Sequence, residues 1–204
     1  MHDPKSDPEA MAEFERRLAK ARPTSRAQYL RVKAATLLER RTPVATSVAI
    51  GLLTRVVTEY DNRLEVPFSH ELLGQAYRRV GDLEAAERHF RACIDTRYEN
   101  KSGTTHVTEL SLAEVLLDQG RTTEAGDLLA LEELPRELGW NSQIFRFVVA
   151  CARYEAMIGG DPTPWAKRAL DLAADRTPQL SRHPEVGLVE TDDATLDEMR
   201  RLAG

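Results

Sequence analysis

Apolar residues recur along this chain every three to four positions, with charged residues filling the intervals. That spacing turns one stripe of a helix toward a core. No stretch alternates with a period of two for long enough to build a buried sheet. Ala, Leu, Glu and Arg dominate the periodic segments, and Pro or Gly fall between them. The pattern predicts helices over 8–21, 26–40, 43–60, 68–80, 82–97, 105–119, 122–133, 141–158, 163–175 and 192–203. Start signals agree with these limits. Ser25-Arg26-Ala27-Gln28 fits a capping box, and Thr42-Pro43 and Asp161-Pro162 each set a capping side chain before a proline at the first helical position. Gly81-Asp82 and Gly120-Arg121 mark tight turns, and Gly159-Gly160 reads as a helix stop.

The segments repeat. A shift of 39 residues carries Leu73 onto Leu112, Gly74 onto Ala113, Gly81 onto Gly120, Ala86 onto Ala125 and Phe90 onto Leu129. A second shift carries Ala113 onto Ala152 and Gly120 onto Gly159, and a backward one carries Gly74 onto Ala35 and Tyr77 onto Leu38. Small residues meet small residues and turns meet turns, as expected where helix axes approach to roughly 8–10 Å. Paired short helices cannot bury both apolar faces alone, so each pair must stack on the next.

Leu73-Gly74-x-x-Tyr77, followed by Gly81, Ala86 and Phe90, resembles the signature of the tetratricopeptide repeat, with Cys93 where the family usually carries alanine. The family period is about 34 residues, so each unit here is longer by about five. The resemblance covers roughly residues 26–176. It implies an all-α, tetratricopeptide-like α-α superhelix, a solenoid of about four helix pairs with terminal capping helices. The expected organisation is a polar tail and capping helix over 1–25, repeats over 26–66, 67–105, 106–144 and 145–183, and a C-terminal capping helix over 184–204.

In such a solenoid the first helix of each pair lines a concave face. Reading i, i+3, i+7 and i+10 around the Gly74 helix places Phe68, Glu71, Gln75 and Arg78 inward. The 39-residue shift gives Val107, Leu110, Glu114 and Leu117, then Arg146, Val149, Arg153 and Ala156, and backward Tyr29, Val32, Thr36 and Glu39. The expected partner-binding set is therefore Tyr29, Phe68, Glu71, Gln75, Arg78, Leu110, Glu114, Arg146, Val149 and Arg153. Apolar at one end and arginine-bearing at the other, this face suits an extended peptide or an amphipathic helix with an acidic group. Some members of the family clamp acidic chaperone termini with a Lys/Asn-rich set; the matching positions here hold Glu, Gln, Val, Leu and Arg, so that docking is not implied.

Composition narrows the function. The length suits one to one and a half domains, 42% of residues are hydrophobic and 30% charged, and the net charge is −5. No apolar run approaches the roughly 18 residues of a spanning helix, and the acidic balance argues against a general nucleic-acid binder. Neither membrane nor nucleic acid is expected as a partner. The charge is uneven: residues 13–41 hold nine Lys/Arg against three Glu, and residues 185–204 hold six acids against two Arg. That asymmetry keeps open a second reading, a self-assembling homo-oligomer, such as a homodimer, joined through end or convex surfaces. Met1–Ala10 is polar and two cysteines make no disulfide framework, so a cytoplasmic protein is expected.

Catalytic chemistry finds little support. Ser69-His70-Glu71 has triad residue types, but adjacent helical positions diverge by about 100°. A zinc motif starting at His70 needs a second histidine at 74, which is Gly74. His2, His89, His106 and His183 have no Cys or His at ligand spacing, and phosphate-cradling glycine loops do not occur. Cys93 and Cys151 read as core thiols, and Trp140 and Trp165 as core filler or interface anchors. The expectation is a non-enzymatic scaffold without cofactor or metal that binds a protein or peptide.

Overall fold

The computed structural model describes residues 8–98, 101–102, 104–105, 107–130 and 138–204. His106, the expected tail over 1–7 and the last residues of the helix expected over 122–133 lie outside the described residues. Among the described residues all regular structure is helical, in ten α-helices. They are α1 (Pro8–Lys20), α2 (Pro23–Leu38), α3 (Pro43–Glu59), α4 (Glu65–Val80), α5 (Leu83–Thr96), α6 (Thr108–Asp118), α7 (Thr122–Leu129), α8 (Asn141–Ile158), α9 (Thr163–Ala174) and α10 (Asp193–Ala203). None of them is long and apolar enough to cross a membrane.

Helices α2 and α4 start three residues earlier and α6 three residues later than expected, and the capping of α2 and α9 differs from the sequence reading. Helix α2 opens at Pro23 rather than beyond a Ser25 cap, with Arg22 extended before it. Proline at the first helical position is preorganised, and it forces the residue before it out of the helical region. Ser25 therefore lies inside the first turn, and no capping box forms. Helix α9 opens after Pro162 instead of at it, because the Asp161 carboxylate accepts a hydrogen bond from the Thr163 amide at 3.0 Å. That bond holds the Asp161 carboxyl below its ordinary range. Thr42 caps as expected, its hydroxyl accepting from the Ala45 amide at 3.2 Å.

The helix stops repeat at the predicted interval. Gly81, Gly120 and Gly159 take left-handed φ of 84°, 77° and 75°. In each, the amide after the glycine donates back across the last turn: Asp82 to Tyr77 at 3.0 Å, Arg121 to Leu116 at 2.8 Å, and Gly160 to Glu155 at 2.8 Å. Such an end satisfies terminal carbonyls and needs a residue without a Cβ.

The chain divides into two compact units, residues 1–108 and 109–204. In the first, α2 packs on α3 and α4 on α5, with further contact of α4 against α2 and α3. Leu30, Ala34, Leu37, Ala45, Ala49, Leu53, Val56, Leu73 and Ala76 form its dry centre. The tightest point is Gly74, where a Cβ would stand 2.6 Å from Cε1 of the fully buried Phe90. In the second unit α8 packs on α7, α9 and α10, with Ala152, Ala166, Ala169 and Met199 fully buried. Trp165 lies edge-on to Phe147 at 6.1 Å, and both it and Trp140 are half-buried.

Cys93 and Cys151 are both buried. Burial first, and Glu155 second, push the Cys151 thiol up to about 12, which suppresses thiolate chemistry there. Across the α4–α5 hairpin, His70 and His89 share a hydrogen bond between their Nδ1 atoms at 2.9 Å, and Tyr77 stacks on His89 at 5.3 Å. Burial, then His70 and Arg88, hold His89 down at about 4 against the pull of Asp82.

Two outcomes follow from the α4–α5 hairpin. Gly74→Ala drives a methyl group into Phe90 and should lower stability in urea by about 1–3 kcal/mol, partly offset by alanine's helix preference of about 1 kcal/mol. Adding Phe90→Leu should recover part of the loss; an unchanged midpoint for Gly74→Ala would show that the ring yields. Separately, the unfolded chain protonates His89 near its ordinary value of 6.5, whereas the folded chain resists until about 4. Its contribution to stability is thus complete above 6.5 and is lost as pH falls toward 4. Urea titrations across this range should show that slope in the native chain and a shallower one in His89→Gln.

Candidate functional site

Helix α2 is apolar on two faces. Ala27, Leu30, Ala34, Leu37 and Leu38 are buried, whereas Tyr29 and Val32 on another side are 49% and 46% exposed. A helix apolar on one stripe needs one partner layer; a second apolar face asks for another. Helix α1 supplies part of it. Its Leu18 is buried, Met11 and Phe14 pack on the same core, and between α1 and α2 an open cleft of about 680 Å³ remains. Phe14, Leu18, Ala21, Tyr29, Val32 and Thr36 line it, together with Arg17, Lys20 and Lys33. The Thr36 hydroxyl donates to the Val32 carbonyl at 3.0 Å, which occupies it within its own helix.

Polar contacts tie α1 to α2 and α3 around the cleft. The Arg26 guanidinium donates to the carbonyls of Ala21 at 3.2 Å and Ala19 at 2.9 Å, closing the C-terminal end of α1. Arg55 on α3 donates to Glu15 on α1 at 2.5 Å, and that bond holds the guanidinium pKa above its ordinary value. Of the described lining residues three are cationic and none is acidic. Arg17 bonds Glu13 at 2.7 Å, and the Lys33 ammonium stands 5.8 Å over the Phe14 ring.

The residues expected to line a binding face fall into three groups. Tyr29 is exposed in the cleft, beside Val32 and Thr36. Phe68, Gln75 and Arg78 are half-buried on α4, with Phe68 beneath the Arg31 guanidinium at 4.5 Å. Gln75 borders a smaller cleft with Leu38, Leu72 and Arg79. Glu71, Leu110 and Val149 are buried, and their side chains present no surface to a partner. Glu71 instead accepts hydrogen bonds from the Thr105 amide at 2.9 Å, the Thr105 hydroxyl at 2.5 Å and the Thr108 hydroxyl at 2.8 Å. Glu114, 8% exposed, receives Arg146 through Nε at 3.0 Å and Nη2 at 2.7 Å, while Arg146 Nη2 also donates to Ser111 at 2.9 Å. Arg153 grips Glu198 of α10 at 2.7 Å, and that bond lifts its pKa. Arg146 and Arg153 thus act first as internal braces of the second unit.

Ser69, His70 and Glu71 point to separate partners. Ser69 Oγ is buried without a hydrogen bond, His70 meets His89, and Glu71 holds Thr105 and Thr108. No relay joins them.

Sequence reasoning missed the share of α1 in the cleft. The signal was present: Met11, Phe14 and Leu18 lie at i, i+3 and i+7 before a second helix apolar on two sides. Compared with protein-family models, with curated proteins and with solved structures, the chain finds no match.

Proposed function

We propose that this chain is a tetratricopeptide-like stack of helix pairs that works by holding another protein, and that the α1–α2 cleft is a docking surface. The observation that carries this reading is the pair Tyr29 and Val32, half-exposed on the second apolar face of a helix whose first face is already buried. Exposed aromatic and aliphatic side chains gathered in a concavity are a recurring feature of binding surfaces. The contacts from Arg26 and Arg55 tie α1 to its neighbours before a partner arrives, which lowers the ordering cost of binding. Catalysis is the weaker reading, because the triad-like residues serve unrelated contacts. The 39-residue recurrence of left-handed glycine ends at Gly81, Gly120 and Gly159 supports the repeat assignment.

Self-assembly through oppositely charged ends is the alternative. Its acidic end is partly engaged within the chain, since Glu198 pairs with Arg153 and Asp197 with Arg200.

A photo-reactive amino acid placed at Val32 separates these readings in the native cell. The cleft should give one dominant adduct that an identical probe at exposed Glu84 does not give. An adduct at twice the chain mass selects self-assembly, and no adduct, or the same adducts from both positions, dismisses the cleft.

A further inference from the structure

We infer that the occupant of the α1–α2 cleft is an amphipathic helix whose apolar face is bordered by carboxylates. This rests on the docking role just proposed and adds the chemistry of the partner.

The backbone of the cleft decides the partner's conformation. Both walls are α-helices, whose mid-helix amides and carbonyls are satisfied internally. No strand edge is offered, so a partner cannot complete its own hydrogen bonds by adding to a sheet. A helix brings its hydrogen bonds already satisfied, so the side pressed on this apolar wall leaves no backbone group unpaired. The wall length agrees: from Tyr29 to Thr36 is two turns, about 10 Å, matching three anchor residues at i, i+3 or i+4, and i+7 of a partner helix. The cleft is also open along its length. A small molecule lying in it would stay largely wet, whereas enclosed ligand sites bury roughly 70–90% of their ligand.

Charge decides the partner's flanks. Lys20 stands on the α1 side of the cleft and Lys33 on the α2 side, while Arg17 is already paired with Glu13 and no acidic side chain is among the described lining residues. Lys33 lies over Phe14, so a cation sits directly above the apolar floor. A carboxylate seated there meets positive charge while its neighbouring apolar residues cover Phe14, Tyr29 and Val32. A basic helix would instead bring like charges into a partly dehydrated space. An anionic membrane surface offers the same charge, but a bilayer is flat, and these apolar groups line a concavity rather than protrude from the protein.

The test is selection from a phage-displayed library of random 16-residue peptides on the full chain, with counter-selection on Tyr29→Glu/Val32→Glu. The enriched peptides should carry apolar residues at helical spacing and a net negative charge. By fluorescence anisotropy the best of them should lose at least tenfold in affinity for Tyr29→Glu/Val32→Glu and about three- to tenfold for Lys20→Glu/Lys33→Glu. Circular dichroism of both variants establishes that they fold. Enriched peptides that are neutral or basic, or that lack helical spacing, overturn the inference while leaving the cleft as a docking surface. No enrichment overturns it as well, as does binding of the chain to phosphatidylserine vesicles in place of peptide. A failed photo-adduct at Val32, by contrast, removes the cleft itself.

Discussion

The longest described helix of this chain has 18 residues and most are shorter. Helices of this length are marginal or weak on their own, and in proteins most of their stability comes from packing an apolar face, so each element here depends on burying its stripe against a neighbour. That one constraint explains the sequence economy. Alanines sit fully buried at Ala34, Ala45, Ala49, Ala76, Ala86, Ala113, Ala152, Ala166 and Ala169, letting axes approach closely, and Gly74 gives way to the ring of Phe90. It also explains why α2 stands out: a helix that has met its requirement on one side and still shows Tyr29 and Val32 on another has apolar surface in excess of what its own fold uses.

Several arginines of this protein spend their charge inside it. Arg26, Arg31, Arg55, Arg146 and Arg153 reach across the sequence to carbonyls or carboxylates on other helices. An arginine fork suits this role, since it brings several fixed donors and keeps its charge when half-buried. The braces have a functional corollary. Reversing Arg146 or Arg153 strips a partner from Glu114 or Glu198 within the second unit, so a loss of binding in such variants would report on folding as readily as on recognition.

Local periodicity carried the helices and their ends well, because those are set by residues within a turn or two. The glycine stops needed only a residue free of Cβ, and the small residues at Gly74, Ala113 and Ala152 announced close packing that the structure contains. The site was far less legible. Choosing an inward stripe on α4, α6 or α8 from spacing alone does not distinguish a face turned to solvent from one turned to the core when both are partly apolar; Leu110 and Val149 fall on the buried side. Glu71 looked like a surface acid, yet its partners stand 34 and 37 positions along the chain, beyond any local pattern. The start of α2 was misread for a nearer reason, a proline signal at Pro23 competing with a plausible cap at Ser25.

The three left-handed glycine ends share one geometry. Each closes its helix with the same back-donated amide, and they are spaced by an identical 39 residues. A 39-residue stretch bounded by two of these glycines therefore begins and ends on the same local bend, whatever lies between.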